Sequence, residues 1–157
     1  MKFRPLLDKF EGLVAGLQSP LLLVIRLYWG WSFMQTGWGK LTHLERTTAY
    51  FTDLNLPMPR LNAIMAGSTE CLGGLLLALG LCARPASVPL IFTMLVAYAT
   101  ADSEALHAIV SDPDKFTGAT PFLFLLAALI VLAFGPGKFS ADALLFRKSA
   151  AAPRMAG

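Results

Sequence analysis

Apolar residues in this chain gather into blocks separated by short polar stretches. The first block runs from about Pro20 to Leu41 (PLLLVIRLYWGWSFMQTGWGKL), the second from about Leu61 to Leu81, the third from about Pro85 to Ala101 and the fourth from about Ala119 to Phe134. Roughly twenty apolar residues cross about 30 Å of hydrocarbon, so the first two blocks have full spanning length and the last two stand near the short end. A buried core helix or a re-entrant segment is the competing reading of the short pair. Proline and glycine punctuate the block ends: Arg84-Pro85, Thr120-Pro121 and Gly135-Pro-Gly137 lie where a helix starts on proline or stops at glycine.

Ahead of the first block, Phe3, Leu6, Leu7, Phe10, Leu13, Val14 and Leu17 recur at helical spacing, while Lys2, Arg4, Asp8, Lys9 and Glu11 take the other side. That pattern predicts an amphipathic helix lying in a membrane interface. A removable signal peptide would place its apolar run directly after a basic start and before a small-residue cleavage site. Here the run begins only near Pro20 and is full-length, so it is read as a retained first span. The expected fold is all-α: an amphipathic interfacial helix over 1-19, a bundle of four transmembrane helices over 20-146 and a basic flexible tail over 147-157.

Composition agrees with lipid as the solvent. Hydrophobic residues make up 55% of the 157 residues and charged ones 15%, against roughly 25% charged in an ordinary soluble domain; the mean hydropathy is +0.59. Basic residues set the orientation. With both termini on one side, that side carries Lys2, Arg4, Lys9, Arg84, Lys138, Arg147, Lys148 and Arg154, against Lys40, Arg46, Arg60 and Lys115 on the other. The bias places the termini in the cytoplasm. The net charge of +3 then describes a basic rim facing anionic headgroups and gives no reason to invoke nucleic acid.

Cysteine adds little. Cys71 and Cys82 are about 16 Å apart along one predicted helix, too far for a disulfide, and no C-x-x-C occurs. His43 beside Glu45, and His107 near Asp102 and Glu104, fall in the two outer loops, where solvated side chains are a better account than a metal site.

One residue stands out in the second block, AGSTECLGGLLLALGL: a carboxylate, Glu70, among small and apolar neighbours. Ala63, Gly67, Glu70, Gly74 and Leu77 fall on one helical stripe. Glycines on that stripe let another helix approach closely, so Glu70 is expected inside the bundle with a partner. The first helix offers two stripes. Arg26, Gly30, Phe33, Gly37 and Lys40 form one; Tyr28, Trp31, Gln35 and Trp38 form the other. Counting about 1.5 Å per residue from the cytoplasmic end puts Gln35 and Tyr98 level with Glu70, and Arg26 well below it. The expected cluster is Glu70 with Gln35 and Tyr98, and Arg26 as a longer-range counter-charge. Two alternatives stay open: a structural polar pair that fixes helix register, and an Arg26 that snorkels to the headgroups. The Tyr and Trp residues fit an interfacial belt as well as they fit stacking on a ring.

The stretches IRLYWGWSFMQTGWGKL, AGSTECLGGLLLALGLCARPAS and GPGKFSAD, in that order and spacing, resemble the DoxX family of small four-helix membrane proteins from about Leu23 to Asp142. The family's polar signature matches Arg26, Gly37, Lys40, Glu70, Gly73, Gly74, Gly80, Arg84, Gly135, Gly137, Ser140 and Asp142. The resemblance implies a bacterial inner-membrane protein linked to redox chemistry, since relatives include the membrane subunit of a thiosulfate:quinone oxidoreductase and members of oxidative-stress complexes.

Two function classes follow. In the first, the chain is the quinone-facing membrane subunit of an oxidoreductase, with Glu70 as proton acceptor and Arg26, Gln35, Lys40 and Tyr98 as ligand-binding residues; Gly30, Gly37, Gly67 and Gly74 pack the helices. In the second, it is a non-catalytic anchor or small solute permease that docks soluble redox or metal-handling partners. Quinone is the cofactor of the first class. The lipid bilayer is a partner in both, and redox partner proteins or further copies of the chain are open to either.

Overall fold

The computed structural model describes residues 4–149, with side-chain surroundings described within 10–145. Among the described residues the structure is helical throughout, with no strand: α1 (Arg4–Thr42), α2 (Leu44–Asp53), α3 (Pro59–Leu79), α4 (Ala83–Thr100), α5 (Ser103–His107), α6 (Pro113–Gly118), α7 (Pro121–Phe134) and α8 (Ala141–Ser149). The four apolar blocks become α1, α3, α4 and α7. α1 lies along α3, α4 lies along α7, and α3 joins the pairs. Phe33, Leu77, Leu90, Met94, Ala128 and Val131 fill the space between them.

Among the described residues two helices are long and apolar enough to cross a membrane, the Phe10–Thr42 part of α1 and α3. α4 has 18 residues and α7 has 14. At 1.5 Å per residue α7 is about 21 Å long, shorter than a full hydrocarbon crossing.

Glycine sets how closely α1 and α3 approach. A Cβ added to Gly37 would lie 2.6 Å from the Gly67 carbonyl oxygen, and one added to Gly30 would lie 2.6 Å from the Ala78 nitrogen. Neither position has room for a side chain, so the two backbones touch through the small-residue stripe. α3 then ends where glycine permits it. Gly80 takes φ 67°, and the Leu81 N–H donates to the Leu76 carbonyl at 3.0 Å, closing the last turn.

Three features differ from the sequence expectation. α1 runs unbroken through Pro20, so the boundary between 19 and 20 is not a helix end; one missing N–H at Pro20 does not stop a helix whose flanking turns remain paired. Residues 10–18 are all exposed. Secondly, the two connectors expected as loops carry helices. α2 was hidden because its ten residues hold few apolar positions, and α5 and α6, of five and six residues, are too short to show a period. Thirdly, α8 begins at Ala141 and crosses the expected tail boundary; the rest of the predicted tail lies outside the described residues.

The bundle therefore has two distinct ends. One, the turn end, holds the α3–α4 turn, the end of α7, the start of α8 and the part of α1 around Leu22 and Arg26. The other, the α2 end, holds α2, α5 and α6.

Candidate functional site

In antiparallel helices, side chains lean toward their own N-termini, so residues on facing helices lean toward each other or apart depending on which lies nearer which end. Gly30 opposes Gly74 and Ala78, and Gly37 opposes Gly67 and Cys71. Glu70 therefore lies just below Gly37 and leans toward the α2 end, while Lys40, one turn above, leans back toward it. They meet: Lys40 Nζ donates to Glu70 Oε2 at 2.5 Å. The carboxylate is 2% exposed and the lysine side chain 29% exposed, so Glu70 lies behind and Lys40 reaches forward.

Forward of the pair is a cavity of about 590 Å³. Its back wall is Thr36 and Lys40 on α1 with Phe124 on α7, and its sides are α3 and α4. α2 and its connector cover the end through Tyr50, Phe51, Leu54 and Leu56. Most of the lining is apolar; the Lys40–Glu70 pair is the charged feature at its inner wall, and Asp102 lies on the outer rim. An ammonium that donates and a carboxylate that accepts, held together at one wall of an apolar chamber, can orient a ligand with both acceptor and donor oxygens and can exchange a proton with it.

The other predicted residues fall elsewhere. Gln35 is exposed, together with Tyr28, Trp31 and Trp38: its depth was judged correctly, but two residues from Gly37 is more than half a helical turn, which points it away from α3. Tyr98 is buried, yet its hydroxyl donates to the Phe116 carbonyl at 2.8 Å and its ring stacks on Phe116. It ties α4 to α6 and does not reach Glu70.

Arg26 leans the same way as Lys40, toward the start of α1, and from its lower position that carries it into the turn end. It is fully buried, and its Nη2 donates to the Phe139 carbonyl at 2.5 Å. Its guanidinium lies against Gly80, where a Cβ would collide with Nη1. Asp142 caps α4 by accepting from Cys82 N–H at 2.8 Å and Ala83 N–H at 3.3 Å, and its own N–H donates to the Gly80 carbonyl at 3.0 Å. Of the polar signature read from sequence, Arg26, Gly80, Ser140 and Asp142 thus form one knot, while Gly37, Lys40 and Glu70 form another. His43 and His107 are exposed, and no group of three metal-ligating side chains occurs among the described residues.

Sequence reasoning missed the walls of the chamber: Thr36, Asn62 and Thr69 on its polar side, and α2 as its cover. The stripe holding Gly37 and Lys40 was the available signal, since it already placed Lys40 on the face that meets Glu70.

A glycine-packed helical bundle with an ion pair below an apolar chamber defines a small helical membrane protein. It belongs to the DoxX family, whose profile matches residues 21–103. The chain is similar to an uncharacterized membrane protein of Mycobacterium tuberculosis, 28% identical over 144 residues that cover 84% of this chain and 85% of the relative. No solved structure matches it.

Proposed function

We propose that this chain is the quinone-facing membrane component of a redox complex, and that the quinone headgroup binds in the chamber against Lys40 and Glu70. The observation that carries the reading is the chamber itself. Its volume of about 590 Å³ falls within the roughly 300–1,000 Å³ range of small-molecule sites, and such sites combine apolar walls with a few fixed polar groups. Thr69, Met94 and Phe124 would flank a ring, Lys40 would donate to a ring oxygen, and Glu70 would hold Lys40 in place and accept a proton. A bound quinone supplies coupled electron and proton transfer between its carbonyl and hydroxyl forms.

In this reading α1, α3, α4 and α7 are the four spans of a bacterial inner-membrane protein. The termini are cytoplasmic, following the basic residues, and α2, α5 and α6 face outward. The exposed start of α1 continues the first span as the same helix to the cytoplasmic interface, with Phe10, Leu13 and Leu17 turned to lipid. Labelling of a Ser111→Cys variant from the cytoplasmic side alone would reverse this arrangement.

The test of the site is binding of a decyl-chain benzoquinone to protein in nanodiscs, followed by tryptophan fluorescence. Saturable binding is expected, weakened about tenfold or more in Glu70→Gln and Lys40→Met and unchanged in Arg26→Met. An assembled parent protein that shows no saturable binding would overturn the reading.

A further inference from the structure

We infer that the chamber takes its ligand sideways from the bilayer, through a slot between α3 and α4 that holds the ligand's linear apolar chain. This inference rests on the chamber being a ligand site and adds the route and the shape of the ligand: a polar head followed by an unbranched or isoprenoid tail.

Four observations lead there. First, α3 and α4 are tied at the turn end and part beyond it. Their junction is the tight Gly80–Cys82 turn, reinforced where a Cβ on Gly73 would meet Leu90 at 3.0 Å; nearer the α2 end, Ala66 and Thr69 of α3 face Thr93 and Ala97 of α4 across the chamber. Secondly, the residues at the lips are large, apolar and outward: Met65 is 58% exposed and Phe92 is 68% exposed, and both line the chamber as well. In a membrane protein such side chains contact lipid, so the chamber and the acyl region share a boundary there.

Thirdly, Pro89 lies inside α4 and lines the chamber. Proline withdraws one N–H from the helical ladder and favours a bend at that level, which suits a helix that must part from its neighbour. Finally, the axial route is obstructed. Tyr50, Phe51, Leu54 and Leu56 lie across the α2 end, and α2 is packed on α3. Non-glycine residues on either side of Pro57, Asn55 and Met58, take φ 55° and 45°, so the connector is held in a conformation that ordinary chain does not favour. The Lys40–Glu70 pair lies at the inner wall and the large apolar side chains of Met65 and Phe92 stand at the lips, an order that matches an amphiphile inserted head first.

The experiment compares two probes on nanodisc-embedded protein: a tail-free dimethoxy-methyl-benzoquinone and the same ring carrying a decyl chain. Thr93→Trp and Ala66→Trp fill the slot from opposite walls and leave Lys40 and Glu70 untouched; assembly of each is checked by size-exclusion chromatography and helical circular dichroism. Both variants are expected to weaken the decyl probe about tenfold and to leave the tail-free probe as in the parent. If the parent binds both probes and the tryptophan variants weaken both equally, or neither, the slot inference fails while the head site stands. If the assembled parent binds neither probe, the head site fails and the slot falls with it. Should both tryptophan variants misassemble, Phe92→Ala decides: faster dissociation of the decyl probe alone supports the slot, and unchanged dissociation overturns it.

Discussion

The two ends of the bundle each bury a charge, and they use it differently. At the turn end Arg26 is closed in by Gly80 and bonded to the Phe139 carbonyl, so its charge ties the start of α8 to the α3–α4 turn. At the α2 end Glu70 is equally buried, but its partner Lys40 stands at the wall of a chamber. A buried charge in a membrane bundle is often read as functional on sight. These two show that the informative property is what lies in front of the charge: backbone in one case, open volume in the other.

The largest effect is expected where the α2 end is most easily broken. A methyl group at Gly37 would meet the Gly67 carbonyl at 2.6 Å and the Cys71 Cα at 2.9 Å. These are backbone atoms that cannot swing aside, so α1 must move off α3. Gly37→Ala is expected to cost about 3 kcal/mol in thermal or denaturant unfolding, at the upper end of overpacking penalties, and to part Lys40 from Glu70. Gly39→Ala is its control: nothing lies within 4 Å of that position, and replacing glycine in a helix there should be neutral or stabilising by up to about 1 kcal/mol. Equal losses in the two variants would show that helix propensity, not the α1–α3 approach, governs the bundle.

A smaller but sharper effect belongs to Arg26→Met. Losing a charged hydrogen bond to Phe139 is expected to destabilise the protein by about 2 kcal/mol, with quinone affinity unchanged. A fall in affinity matching that of Lys40→Met would erase the distinction between the ends.

Within the α2 end the pair itself is unequal. Lys40→Met strands a carboxylate that is 2% exposed, whereas Glu70→Gln leaves an ammonium that is 29% exposed and can be hydrated from the chamber. Stranding a buried charge costs about 3–5 kcal/mol in full burial; with water reaching the chamber, about 1–2 kcal/mol is expected for Lys40→Met and less for Glu70→Gln. Reversal of that order in unfolding measurements would place Glu70, not Lys40, at the open face.

How much of this could be read from the residues divides along the same line. The apolar blocks gave four bundle helices, with bounds within a few residues everywhere except the start of α1, because long apolar runs and glycine or proline stops are strong local signals. The stripe holding Gly67, Glu70 and Gly74 gave the buried face of α3, and the one holding Arg26, Gly30 and Gly37 gave that of α1. Partner choice failed for a geometric reason. Depth was counted from Pro20, yet the register of the glycine contacts sets Arg26, six residues later, level with Gly80. That offset of about 6 Å between the counted and the actual register moves Lys40 out of apparent reach of Glu70, while Gln35, level with Glu70 on either count, lies on the wrong face of α1. The chamber was not legible at all, because the parting of α3 from α4 and the docking of α2 are properties of packing that no single helix encodes.

The smallest effect lies outside the bundle and marks the boundary of the comparison. Lys115 Nζ donates to Glu104 Oε2 at 2.9 Å between α5 and α6, with both side chains largely in solvent. The bond and charge of Lys115 hold the Glu104 carboxyl below its ordinary value, and Glu104 raises Lys115. The sign follows from linkage. Because the folded Glu104 binds its proton less readily than the unfolded one, its contribution is present above the ordinary carboxylate range and is lost as pH falls through the lowered folded value. Lys115 contributes fully below the ordinary lysine range and loses that contribution as pH rises through its raised folded value. An exposed pair of this kind is screened by water and salt. Glu104→Gln should therefore leave the unfolding temperature near neutral pH almost unchanged, flatten only a slight acid-side slope, and do neither in high salt. A large acid-side loss that disappears in this variant would show that the outer connector holds the chamber's α2 end together, and that the two ends differ in their covers as well as in their buried charges.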